Sequence, residues 1–214
     1  TALDIGGTAT PTGPSANNKP EIEVTAVNST AEYNTVSDSA SGSTDGQKQF
    51  VGDDAVDQKI TSGMQIDPPS DISVSEIDVQ VVDTVGSDYG ALVDVYIAQE
   101  SPDGTQGEGT LIKSDWDPEW STTTQTITLD SRYELSGGST YTVEFVTTTK
   151  SSNDAEDSLK IGTDSAGPTG AFYYRTSSKD YYGNLTIRGD RPVNSLSVSD
   201  DAGNSASIGD LADG

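Results

Sequence analysis

Short runs in which apolar and polar residues alternate, each closed by glycine, proline or serine, recur through most of this 214-residue chain. Strict alternation puts every second side chain on one face, which is the pattern of a half-buried strand. In Ala91–Gln99, Val93, Val95 and Ile97 share one face while Asp94 and Tyr96 take the other. Ile127 and Leu129 mark a strand in Thr124–Asp130, and Tyr141, Val143 and Phe145 mark another with Thr142 and Glu144 outward. Further strands are read at Ile60 to Ile66, at Leu159 and Ile161, at Ala171 to Arg175, and at Leu185 with Ile187. Ser101-Pro102-Asp103-Gly104, Ser136-Gly137-Gly138 and Gly167-Pro168-Thr169-Gly170 separate them. No segment keeps a 3.6-residue period over about ten residues. This punctuation predicts an all-β fold, an antiparallel β-sandwich of the jelly-roll type.

Parity along one strand breaks. Ile77, Val79 and Val81 share a face, but Ile72 and Val74 have the opposite parity, which predicts a bulge near Glu76. Residues 1–46 read as an extended N-terminal arm with one candidate strand at Glu21–Ala26, and with loop over 28–47. Residues 47–191 read as the jelly roll. Residues 192–214 read as an edge strand around Val193, Leu196 and Val198, followed by a frayed tail from Ala202.

Asp and Glu number 35 against 11 Lys and Arg, giving a formal net charge of −24. The acids come singly or in pairs, such as Asp53-Asp54 and Asp200-Asp201, between strand-like runs, whereas a disordered acidic tail has blocks of like charge. Asp predominates over Glu and Lys is scarce, so little apolar stem accompanies the charge. At about 1 M salt the Debye length falls to about 3 Å, which screens such a surface from itself. The composition resembles proteins of salt-loving archaea and their viruses; a calcium-loaded surface protein and an ordinary acidic secreted domain are the competing readings.

The strand succession also has a likeness. Gln49-Phe50, Ile77-Asp78-Val79 and Val93-Asp94-Val95-Tyr96-Ile97 are followed by a loop with Pro102, Gly104 and Gly107. Thr126-Ile127-Thr128-Leu129 and Leu135-Ser136-Gly137-Gly138-Ser139-Thr140-Tyr141-Thr142-Val143 come next, then Ala171-Phe172-Tyr173-Tyr174 and Leu185-Thr186-Ile187. Over residues 47–190 this resembles the jelly-roll, carbohydrate-binding-module-like modules of prokaryotic virus tail, baseplate and surface proteins, often called choice-of-anchor domains. The resemblance implies fold and carries over no catalytic residue. Surface members of that group end in an anchor, and none stands in these residues, which turns the expectation toward a virion or freely secreted protein.

The chain has no histidine and no cysteine. A Ser-His-Asp triad, a Cys-His pair and a conventional zinc site are therefore excluded. Carboxylate chemistry remains open, since a glycosidase needs only two carboxylates at a set separation. With its acidic balance and no basic cluster to offset it, the chain would repel phosphates, so nucleic acid is not an expected partner. No apolar stretch is long enough to span a bilayer.

Asp115-Trp116-Asp117-Pro118-Glu119-Trp120 holds both tryptophans of the chain. Two readings are open. Asp115, Asp117 and Glu119 at alternate positions are candidate ligands for Ca²⁺ or Mg²⁺, with Trp116 and Trp120 stacking on a glycan or partner; or the rings cap the open edge of the sandwich. Tyr173, Tyr174, Tyr181 and Tyr182 form a second aromatic group, read either as a contact surface or as cross-strand packing. Arg175, Lys179, Arg188 and Arg191 interrupt the acidic pattern and are candidates for a subunit contact through acid–base pairs. Asn184-Leu185-Thr186 fits a glycosylation sequon, and Arg188-Gly189-Asp190 reads as the turn after a strand. The expectation is a virion surface protein of a haloarchaeal virus: a turret, decoration, baseplate or tail-fibre component. It would assemble as a homo-oligomer with other virion proteins, with no turnover and no required cofactor, and with Ca²⁺, Mg²⁺ or monovalent cations as candidate bound ions. Its loops would touch host surface glycan or a surface-layer protein. The alternative is a carbohydrate-binding or adhesion module of a secreted haloarchaeal protein.

Overall fold

Sixteen strands and no helix occupy the described part of the chain. A computed structural model describes residues 23–24, 30–35, 46–53, 59–103, 107–151, 156–164, 170–174, 177–191, 195–199 and 205–209. In chain order the strands begin with β1 (Glu23–Val24), β2 (Thr30–Asn34), β3 (Gly46–Asp53), β4 (Thr61–Ile66) and β5 (Ile72–Val85). Next come β6 (Val93–Ala98), β7 (Thr110–Trp116), β8 (Thr124–Leu135), β9 (Tyr141–Thr147) and β10 (Asp157–Asp164). The last six are β11 (Phe172–Tyr174), β12 (Ser177–Lys179), β13 (Tyr182–Gly183), β14 (Leu185–Asp190), β15 (Ser195–Ser199) and β16 (Ser205–Gly209).

The chain divides into two units. Asn28–Pro192 is the larger. Within it, eight successive strands interleave into two antiparallel sheets. One sheet contains the order β3-β10-β5-β8 and the other β4-β9-β6-β7. Among these eight strands every sheet neighbour comes from a distant part of the chain except β6 and β7. This is the double Greek-key order of a jelly roll. β14 and β2 extend the first sheet beside the N-terminal half of β5, and β13 pairs with β10. β11 and β12 extend the second sheet beyond β4.

The inner faces of the two sheets supply the core. Phe50 from the first sheet meets Phe145 from the second edge to face, centroids 5.4 Å apart. Ile66, Ile77, Val79, Val93, Val95, Ile127, Val143, Leu159 and Ile161 are buried around them. Each such side chain stabilises the fold by roughly 1.5–3 kcal/mol when fully buried. Polar staples join the sheets at Asp67, whose carboxylate accepts from Gln65 Nε2 (2.8 Å), Thr140 Oγ1 (2.7 Å) and Tyr182 OH (2.9 Å). Fully buried Asp53 and Asp157 tie three connections together: Asp157 accepts from the Ser87 N–H and Ser151 Oγ, and Asp53 from the Ser151 N–H.

The parity break lies where expected. Ser75 has no ladder partner, because pairing runs from Val74 directly to Glu76 against both β8 and β14. Opposite the bulge, a Cβ on Gly189 would lie 1.9 Å from the Ser73 carbonyl oxygen, so only glycine fits. Arg188-Gly189-Asp190 is consequently strand, not the turn expected from sequence.

Other expectations change as well. Thr30–Asn34, read as loop, is β2, paired with β14. Thr110–Trp116 is β7; two register shifts against β6 break its alternation, which hides it in the sequence. The smaller unit comprises Thr1–Val27 and Val193–Gly214. In it, β15 is the middle strand of a three-stranded sheet between β1 and β16, and β16 occupies part of the expected frayed tail. Residues 1–20 lie outside the described residues.

Candidate functional site

The outer face of the second sheet carries a continuous cross-strand row. Ladder pairing places Tyr173 on β11 beside Gly63 on β4, Gly63 beside Glu144 on β9, Glu144 beside Tyr96 on β6, and Tyr96 beside Leu111 on β7. Registered neighbours project to the same face. Two aromatic rings thus flank a carboxylate, with the glycine leaving a gap between Tyr173 and Glu144. A Cβ at Gly63 would lie 3.1 Å from Thr142 Cγ2 and 3.6 Å from Pro102 Cβ, so a larger residue fills that gap. Leu111 is the exposed large apolar residue of the described chain.

Segment 98–103 and Gly107–Gly109 fold over this row and close a cleft. Tyr173, Thr142 and Glu144 form its floor, and Glu100, Asp103 and Glu108 its rim. The cleft has room for a water-sized occupant, so a sugar ring does not fit beneath the cover. Thr142 and Glu144 point away from the core as the alternation predicts, but the cover buries them to 8% and 6% exposure.

Glu144 accepts the Gly107 N–H at 2.7 Å. Burial pushes its carboxyl up to about 7; hydrogen bonds from the Gly107 and Glu108 amides oppose the rise, and the charges of Glu108 and Asp103 add to it. Burial, then a hydrogen bond to Glu100 and the charges of Glu100 and Asp103, also raise the Glu108 carboxyl. A carboxyl protonated near neutrality is suited to proton transfer and to proton-linked conformational change.

The residues singled out in the sequence are dispersed. Trp116 ends β7 at 8% exposure and packs on Phe145, centroids 6.2 Å apart, so its ring belongs to the core and is not offered to a ligand. Trp120 is half-buried and meets Tyr89 edge-on at 5.7 Å, capping the sandwich. Asp115, Asp117 and Glu119 are exposed and alternate with buried Trp116 and Pro118. Asp115 adopts φ +47° and donates its N–H to Asp94 Oδ1. Among the described residues no three His, Cys, Asp or Glu side chains are grouped to hold a metal ion.

Only Tyr173 of the four tyrosines lines the cleft. Tyr174 donates to Gln49, Lys48 lies 5.1 Å over the Tyr181 ring, and Tyr182 belongs to the Asp67 staple. They therefore do not form one patch, because each is drawn to a different polar partner. Arg188 is held within the chain by Asp78 and by Glu32 (3.1 Å). Lys179 and Arg191 are exposed, and Arg175 lies outside the described residues. Asn184 is 7% exposed and its Nδ2 donates to Gln80, which leaves no room for a glycan there. Glu100, Asp103, Glu108 and Tyr96 carried no motif; only the polar position of Glu144 within an apolar strand marked the site.

No family model matches the chain, and no curated protein is significantly similar to it. Among solved structures, the structure of infectious bursal disease virus Gt strain matches at 12% identity and TM-score 0.25, over 88% of this chain and 48% of the viral one. The chain thus spans about half the length of that viral chain, and a likeness this distant carries no argument about the site. No helix among the described residues is long and apolar enough to cross a membrane.

Proposed function

We propose that the chain is a structural jelly-roll protein of a virion surface, working in concentrated salt as a homo-oligomer. The observation that carries this reading is the division of labour along the chain. The jelly roll is built from an uninterrupted central stretch, while β1 near the N-terminus pairs with β15 near the C-terminus in a separate unit suited to attachment. Jelly rolls serve in viral capsid and lectin domains. Four described cations bear on the salt-adapted part of the reading: Arg188, Lys160, Lys113 and Arg132 each meet a carboxylate of their own chain, while Asp115, Asp117, Glu119, Glu100 and Glu108 face solvent. Sedimentation equilibrium of the full chain in about 3 M KCl tests the proposal. A closed oligomer of the 22.3 kDa protomer is expected, and a monomer at every concentration refutes it.

The rim of the cleft, where Tyr173 lines the same edge as exposed Glu100, Asp103 and Glu108, favours a second reading, a glycan-binding module. Aromatic faces and a carboxylate acceptor are the groups that recognise a sugar's C–H face and hydroxyls. Under this reading Tyr173→Ala abolishes retention on a glycan column by the isolated protomer, and unaltered retention excludes it.

A further inference from the structure

We propose that Gly107–Gly109 is a proton-linked strap, closed over Tyr96 and Glu144 while the Glu144 carboxyl beneath it holds a proton, and lifting as that carboxyl ionises. The geometry is specific. Gly107 sits against the ring of Tyr96, with φ +68° and a notional Cβ 3.7 Å from Tyr96 Cζ. Its amide is held by a carboxyl that is 94% removed from solvent beneath the strap and segment 98–103. Gly109, at φ +83°, brings its backbone against the carbonyl of Ile97, where any Cβ would lie 2.2 Å away. Among the described residues the strap thus meets Ile97 by a close approach at Gly109, and Tyr96 and Glu144 at Gly107.

The groups facing Glu144 explain why a proton decides the matter. β4 contributes Thr61 and Gly63, and β11 contributes Tyr173. β6 contributes Tyr96, whose hydroxyl burial, Asp94 and Glu144 all push toward its protonated form. The cover contributes Glu100, Asp103 and Glu108. Among the described residues no lysine or arginine lines the cleft. Closure therefore brings a buried carboxyl beside other acids. By linkage, a group that holds its proton more tightly in the closed state favours closure at low pH and opening as pH rises through about 7. Opening uncovers Tyr96 and widens the cleft beyond its single water-sized space.

The strap stands independently of the two functional readings, because no ligand or partner enters the test. Amide exchange of the full chain is followed by NMR at constant salt from pH 5 to 8, normalised to intrinsic rates, with Val95 and Phe145 as core references. Protection at Gly107 and Glu108 is expected to fall at least about tenfold across that range while the references hold. In Glu144→Gln the protection of the same amides is expected to be independent of pH. Constant protection in the wild type, or the same fall in the variant, overturns the proposal. Should the variant not fold, carboxyl ¹³C titration of the wild type decides. A Glu144 midpoint near 7, tracked by the Gly107 amide shift, supports the strap; a midpoint near 4.5, or a Gly107 amide that ignores it, refutes it.

Discussion

Asp78 and Glu144 are almost equally buried, at 5% and 6% exposure, and both occupy outward positions of central strands, but their surroundings are opposite. Asp78, on β5 of the first sheet, receives Arg188 from β14 and Thr126 Oγ1 (2.7 Å) from β8. Glu144, on β9 of the second, receives backbone amides and is ringed by acids. Asp78 is neutralised by a cross-strand cation, so its face is closed and structural. Burial pushes the Glu144 carboxyl up to about 7, so its face is the one expected to respond to pH. Two carboxylates of one residue class, at equivalent places in paired sheets, acquire different roles from one neighbouring strand.

The largest expected effect is on the cation side. Arg188→Ala leaves the Asp78 charge buried without its partner, which costs about 2–3 kcal/mol, below the full value for a buried pair because Arg188 is 40% exposed. Thermal unfolding should show a drop in Tm of several degrees; a change under about 1 °C would make the two carboxylates equivalent after all.

Glu144→Gln comes next, and its sign depends on pH. The folded carboxyl is raised from 4.5 to about 7, so the native state binds the extra proton between those values. Stability contributed by that proton is complete below about 4.5 and is lost as pH rises through about 7. The variant should therefore match the wild type near pH 5 and exceed it by about 1–3 kcal/mol at pH 8. Denaturant unfolding at the two pH values measures the difference, and a variant less stable at pH 8 reverses the assignment. Smallest is Lys160→Met, which removes the partner of solvent-facing Asp83 and should move Tm by no more than about 2 °C.

Much of this architecture is visible in one dimension because β-alternation is a local rule. Ile77, Val79 and Val81 against Ile72 and Val74 disclosed the bulge at Ser75, and Val93, Val95 and Ile97 disclosed β6 with its inner face. β7 stayed hidden because its register shifts destroy the period, which in turn made Trp116 look like a loop residue. Alternation also placed Glu144 outward correctly, but no local pattern reports that residues near position 107 fold back over it. Arg188 looked available for a subunit contact for the same reason: its partners Asp78 and Glu32 are 110 and 156 residues away in the chain. Sites made by cover and by cross-strand pairing are set by topology, and topology is what the eight interleaved strands supply.

The central claim is that an ordered jelly roll carries this acid excess because salt screens it. It is tested by the melting temperature of the full chain at pH 8 between about 0.1 M and about 3 M KCl. A Tm that climbs steadily with salt, and climbs less at pH 5 where the Glu144 carboxyl holds its proton, is the predicted result. An unchanged or falling Tm contradicts it.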